Sequence, residues 1–98
     1  MKPHRIKLSR KAGFNLQKFS MELNGLPAVN CARPGAYGNP YTVKEYGRHN
    51  AIAQFKWLVD KYNLESKLKN ELRGKNLACW CDLDEECHCD FLLEISNP

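Results

Sequence analysis

The segment Asn76-Leu77-Ala78-Cys79-Trp80-Cys81, followed five residues later by Cys87-His88-Cys89-Asp90, decides how this chain is read. The first part is short, apolar and bounded by Gly74 and by an acidic run, so it reads as a buried strand. Asp82 to Glu86 reads as a loop. Cys87 to Asp90 opens a last short helix carrying Phe91, Leu92 and Ile95. On a strand, residues two apart point to one face, so Cys79 and Cys81 stand side by side. The loop then brings Cys87 and Cys89 back to the same region.

Working outward, Arg5-Ile6-Lys7-Leu8-Ser9 alternates and predicts a short strand. Ala28 to Ala32 predicts a second. Phe14 to Leu23 carries apolar residues in a mixed period that assigns no element. Thr42 with Glu45 three residues on has the capping-box pattern. A helical stripe then runs through Ile52, Phe55, Val59 and Tyr62, with Ala51 and Leu58 beside it; Trp57 widens it, and Gly47 interrupts its start. A further helix is expected over 66–73, with Leu64, Leu68 and Leu72 four apart and Gly74 as its C-cap. The order strand, strand, helix, helix, strand, helix predicts a small α/β or α+β layered fold, a short and mostly parallel sheet packed by two or three helices. Ninety-eight residues read as one domain, 1–98.

Composition excludes several classes. Hydrophobic residues make up 43% and charged residues 27%, which is ordinary globular usage and excludes wholesale disorder. No apolar run approaches the ~20 residues of a membrane span. No apolar stretch comes after the basic Met1–Arg5 start, so a cytoplasmic protein without a signal peptide is expected. Charge is unevenly placed. Residues 1–50 hold nine Lys/Arg against two acids; residues 51–98 hold six against nine. A basic half can attract phosphates, or it can simply pair with the acidic end.

Five cysteines is an odd number, and four of them fall within eleven residues, which argues against a disulfide framework. Three readings of C-x-C-x5-C-x-C remain. Cys79, Cys81, Cys87 and Cys89, with His88 as a substitute ligand, are candidate zinc ligands, because zinc takes four thiolate or imidazole donors. Alternatively Cys79, Cys81, Cys87, His88 and Asp90 are candidate catalytic residues, with a thiol at a helix N-terminus as nucleophile. The third reading is plain core packing. Cys31, standing apart, reads as a small buried hydrophobe.

The loop Arg33-Pro34-Gly35-Ala36-Tyr37-Gly38-Asn39-Pro40-Tyr41 is the second motif. Glycine-exposed backbone N–H groups beside an arginine fork can cradle phosphate or carboxylate. Arg33, Gly35, Tyr37, Gly38 and Asn39 are therefore candidate ligand-binding residues. Tyr37 or Tyr41 would stack on a ring, and Asn39 would read a base or ribose edge. The alternative is a turn that fixes a strand-to-helix corner, with Arg33 paired to an internal acid.

Together these motifs resemble the domain-of-unknown-function family 4326 of bacteria and bacteriophages, over residues from about 5 to about 93. The resemblance rests on Arg5 to Phe14, Arg33-Pro-Gly-Ala-Tyr-Gly-Asn-Pro-Tyr41, Gly74-Lys-Asn-Leu-Ala-Cys-Trp-Cys81 and Cys87-His-Cys-Asp90. It carries over Arg33, Gly38, Asn39, Pro40, Cys79, Cys81, Cys87, His88 and Asp90. Tyr41 replaces the family's usual phenylalanine, Tyr37 stands where tryptophan is common, and Cys89 stands where a small residue is usual. The resemblance implies three cysteines plus His88, and it brings no established activity. The expectation is a protein that binds a phosphate-bearing ligand, a nucleotide or a nucleic-acid end, beside a cluster that holds zinc or presents a thiolate. The alternative is a non-enzymatic phage protein that binds a host protein, with zinc as a staple. Binding of nucleic acid along the basic half is the weakest expectation, because few aromatics interleave its charges.

Overall fold

A computed structural model describes residues 2–33, 35 and 37–97. Pro34 and Ala36, part of the Arg33–Tyr41 loop, lie outside the described residues. The element order is β1 (Arg5–Lys7), α1 (Leu16–Asn24), β2 (Ala28–Asn30), α2 (Val43–Tyr46), α3 (Arg48–Lys61), α4 (Glu65–Leu72), β3 (Asn76–Cys79) and α5 (His88–Ser96). The three strands form one parallel sheet in the order β1-β3-β2. Ile6 and Asn30 both pair with Ala78, so the last strand in sequence is the central one. Parallel strands need long crossovers, which the intervening helices supply.

The alternation of β3 sorts the helices onto two faces. Leu77 and Cys79 enter a core with Cys31, Phe55, Val59, Leu68, Leu72, Cys87, Cys89 and Leu92, and so face α3, α4 and α5. Ala78 enters a smaller core with Ile6, Leu8, Ala28 and Ala32, closed by Phe14 and Leu16 at the start of α1. The result is a three-layer α/β arrangement with a single helix on one side. No helix among the described residues is long and apolar enough to cross a membrane.

α1 is the element that hydrophobic period leaves unassigned. Its start is set by Asn15, whose side chain accepts from the Lys18 N–H, and its end by Gly25 in the left-handed conformation (φ 76°). Its buried residues are Ser20 and Asn24, while Phe19, Met21 and Leu23 are exposed. An inward face that is polar defeats any reading based on hydrophobic period.

The other expectations are met with shifts. Thr42 caps α2, accepting from the Glu45 N–H at 3.2 Å. Gly47 (φ 79°) divides α2 from α3. Ala51, Phe55 and Val59 form the buried stripe of α3. Tyr62 and Trp57 do not belong to it: they are 59% and 50% exposed. The helix ends at Lys61, and Asn63 at φ 53° turns the chain away before Tyr62 can reach the core. Asn76–Cys81 pairs only as far as Cys79, leaving Trp80 and Cys81 beyond the sheet.

Candidate functional site

In a parallel sheet all strands end at one edge. Here that edge collects the residues after β2 (Cys31, Ala32, Arg33), those after β3 (Trp80, Cys81) and the first turn of α5 (Cys87, His88). Ligands of open α/β sheets bind outside the carboxyl ends of the strands. A cleft of about 120 Å³ lies at this edge, lined among others by Arg33, Asn39, Tyr41, Arg48, Cys79, Cys81, Cys87 and His88. The arginine loop and the thiol cluster, separate in sequence, therefore share one cleft.

The thiols are close together. All five cysteines are free, and Cys79 Sγ stands 3.1 Å from Cys87 Sγ. The donor atoms of Cys79, Cys81 and Cys87 lie within 4.8 Å of one another, as do those of Cys87, His88 and Cys89. Among the described residues the donors thus divide into two trios that share Cys87, rather than one set of four thiols. Around zinc, with Zn–S of roughly 2.3 Å, tetrahedral thiolates stand about 3.8 Å apart. The first trio needs only small adjustments to meet that spacing. Cys89 is fully buried and does not line the cleft; contact with the Cys31 thiol, then with Cys79 and Cys87, raises its own thiol.

Ionisation within the cluster is uneven. Cys87 is held far below the ordinary thiol range, first by hydrogen bonding from Cys79 and then from Cys89, against the cost of burial. The same contact pushes Cys79 up to about 12. Burial raises Cys81, and the Arg48 guanidinium opposes that rise. One thiolate, on Cys87, is the state the surroundings favour.

His88 has a defined tautomer. Its Nε2 lies 2.9 Å from the Cys31 carbonyl oxygen and 3.0 Å from that of Tyr37. Carbonyls only accept, so Nε2 carries the proton. Nδ1 then presents its lone pair toward Cys87 Sγ, 3.7 Å away. Phe55 packs edge-on against the ring at 5.2 Å between centroids.

The loop residues have separate fates. Arg33 is exposed at the cleft and, among the described residues, pairs with no acid. Gly38 is packed on it: a Cβ there would stand 2.8 Å from Arg33 Cα, so only glycine fits. A Cβ on Gly35 would stand 3.0 Å from Ala32 O. Asn39 lines the cleft but its amide is occupied: Nδ2 donates to Ala51 O at 3.0 Å and Oδ1 accepts from the Tyr41 N–H at 2.9 Å. Tyr37 donates its hydroxyl to Glu71 at 2.9 Å. Tyr41 does line the cleft, edge-on to Tyr46. Asp90 is exposed; its Oδ2 accepts from the Cys87 N–H at 3.2 Å and from Arg5 at 3.1 Å, which closes the first turn of α5.

Two residues of the site are absent from the candidates that the sequence suggests. Arg48 donates to Cys81 Sγ at 3.4 Å, to Glu86 O at 2.9 Å and to Glu85 at 3.1 Å. Arg5, its side chain 6% exposed, donates to Asp90 and to Asp82 O, and its charge acts on Cys87 and Cys79. No motif singles out Arg48; Arg5 opens the Arg5–Phe14 stretch of the family resemblance, which does not mark it as a site residue.

A small parallel α/β domain with a thiol-rich cleft at the carboxyl edge of its sheet is the class these features define. The family model described as Domain of unknown function (DUF4326) matches residues 14–98, and the chain belongs to that family. No curated protein and no solved structure matches the chain.

Proposed function

We propose that this protein binds a phosphate-bearing ligand at a zinc centre, with the metal held by Cys79, Cys81 and Cys87 and the anion held by Arg33. The observation that carries the reading is the single cleft lined by both groups. Cys79, Cys81 and Cys87, from a strand end and a helix N-cap, would hold the metal, and a three-thiolate set would leave it free to take an exogenous ligand. Arg33, paired with no acid among the described residues, can offer its guanidinium for a bidentate grip on phosphate. Arg48 is committed to Cys81 and Glu85, where it offsets the negative charge of the thiolates. With a volume of about 120 Å³, the cleft has room for a phosphate group. The remainder of a nucleotide or a nucleic-acid end would lie outside it, toward Tyr41.

The test is metal analysis of protein purified under reducing conditions, followed by calorimetric titration with pyrophosphate. The expected result is about one equivalent of zinc and saturable binding that weakens about tenfold or more in Arg33→Ala, with zinc retained. Zinc without any pyrophosphate binding would leave the cluster as a staple for the junction of β3 and α5. Metal-free protein would contradict the centre itself.

A further inference from the structure

The Arg33 loop is held at several points. Among the described residues its backbone is held by two turn bonds, Gly35 N–H to Ala32 O at 2.9 Å and Gly38 N–H to Gly35 O at 3.0 Å. The Tyr37 hydroxyl ties the loop to Glu71 of α4 at 2.9 Å, and beyond Gly38, Asn39 fastens it to α3 through Ala51. Before Gly38 one side chain reaches both sides of the turn. The carbonyls of Cys31 and Tyr37 bracket Arg33, and the single Nε2–H of His88 lies within hydrogen-bond distance of both. Gly38, packed on the Arg33 backbone, shows that the chain folds back on itself at this point. The imidazole is in turn fixed by α5, by the edge of Phe55 and by Cys87 facing Nδ1.

We infer that His88 is a positioning residue for the anion loop: its bridging N–H holds the carbonyls of Cys31 and Tyr37 together, and so presents the Arg33 guanidinium to the cleft. The inference deepens the proposed function, since the anion is the ligand proposed there, but the hold on the loop is a property of the protein alone. It separates the two nitrogens of one ring. Nε2–H serves the loop, while Nδ1 looks toward the thiols without being needed to complete the metal site. A bridge to two carbonyls requires a donor at the Nε2 position and nothing else, so glutamine, whose amide nitrogen extends to a comparable distance, restores it. Alanine and methionine do not, although methionine keeps much of the ring's volume.

The experiment combines amide hydrogen exchange over 31–41, zinc content and pyrophosphate titration, on wild type, His88→Ala, His88→Gln and His88→Met. Loss of the bridge is expected to speed exchange in the loop about tenfold and to weaken pyrophosphate binding by a similar factor in the alanine and methionine variants. The glutamine variant stays close to wild type in both. Zinc remains bound in all four. If the alanine variant does not fold, the comparison of glutamine with methionine decides the matter. Unchanged loop exchange in His88→Met, or exchange in His88→Gln as fast as in His88→Met, would overturn the inference. Loss of metal from His88→Gln would also overturn it, by making the ring a ligand. Should wild type fail to bind pyrophosphate, the proposed ligand falls, and the exchange data still decide the role of His88.

Discussion

Asn76 is fully buried, yet both polar atoms of its side chain are matched. Its Oδ1 accepts from the His4 N–H at 2.8 Å and from Asn24 at 2.9 Å; its Nδ2 donates to Ser20 Oγ at 2.7 Å and to Asn24 Oδ1 at 2.8 Å. Ser20 passes the chain on to Leu26 O at 2.6 Å. A buried polar group in contact with several partners is costly to remove, because each partner is left without water or substitute. Asn76→Ala is therefore expected to lower the unfolding free energy by about 2–4 kcal/mol in urea titrations, with the denaturant slope unchanged. A loss below about 0.5 kcal/mol would show that water replaces the amide. The sequence places Asn76 at a strand start without revealing this role, since nothing local marks an asparagine as buried. Arg33 and the cysteines are legible, because clustered thiols and a glycine-rich corner point to chemistry from residue type alone. Asn39 shows the limit of that reasoning: residue type suggests a ligand contact, and the geometry spends its amide on the protein.

At the scale of elements, legibility tracks the contrast between faces. α3 is readable because Ala51, Phe55 and Val59 recur on one buried stripe. Thr42, Gly47 and Gly74 mark boundaries through backbone chemistry, and the structure places all three at or next to helix ends. α1 is not readable, for the reason Asn76 supplies: beyond Leu16 it docks through Ser20 and Asn24 and leaves Phe19, Met21 and Leu23 outside. α5 begins where the site begins, with Asp90 tying back to the Cys87 N–H. Phe55 connects α3 to this turn, edge-on to both His88 and Phe91. Phe55→Ala is expected to cost about 3–5 kcal/mol by opening a cavity in the main core, and to raise the reactivity of Cys87 toward a small thiol reagent as α3 withdraws. Intact stability together with unchanged thiol kinetics would count against α3 as the wall of the site.

Over the whole molecule the uneven charge resolves into cross-pairing. Arg5 meets Asp90, Lys7 meets Asp82, Arg48 meets Glu85 and His49 lies by Glu86, so each pair joins a base from the first half to an acid from the 82–90 segment. Three of the nine Lys/Arg of the first half, Arg5, Lys7 and Arg48, thus help to dock the acidic segment over the sheet edge. Lys7 holds the Asp82 carboxyl below its ordinary value of 3.8, and Asp82 raises Lys7 above 10.5. A depressed carboxyl contributes stability above its unfolded value and loses it as the pH falls through the folded one. A raised ammonium contributes below its unfolded value and loses it as the pH rises past the folded one. The pair is thus intact across neutral pH, and both members are solvent-exposed and open to screening. Thermal melts of Asp82→Asn are expected to show a shallower loss of stability below about pH 4 than wild type, with the difference shrinking in high salt. Identical acid limbs would show that the pair contributes nothing.

The central claim is that thiolates and a guanidinium from distant parts of the chain act on one ligand. Cobalt(II) in place of zinc reads both halves at once, through its thiolate charge-transfer and ligand-field absorption. The account predicts a tetrahedral cobalt–thiolate spectrum that shifts as pyrophosphate saturates the wild-type protein and shifts in Arg33→Ala only at about tenfold or more higher pyrophosphate. A protein that takes up no cobalt, or a cobalt spectrum indifferent to saturating pyrophosphate in the wild type, would contradict it.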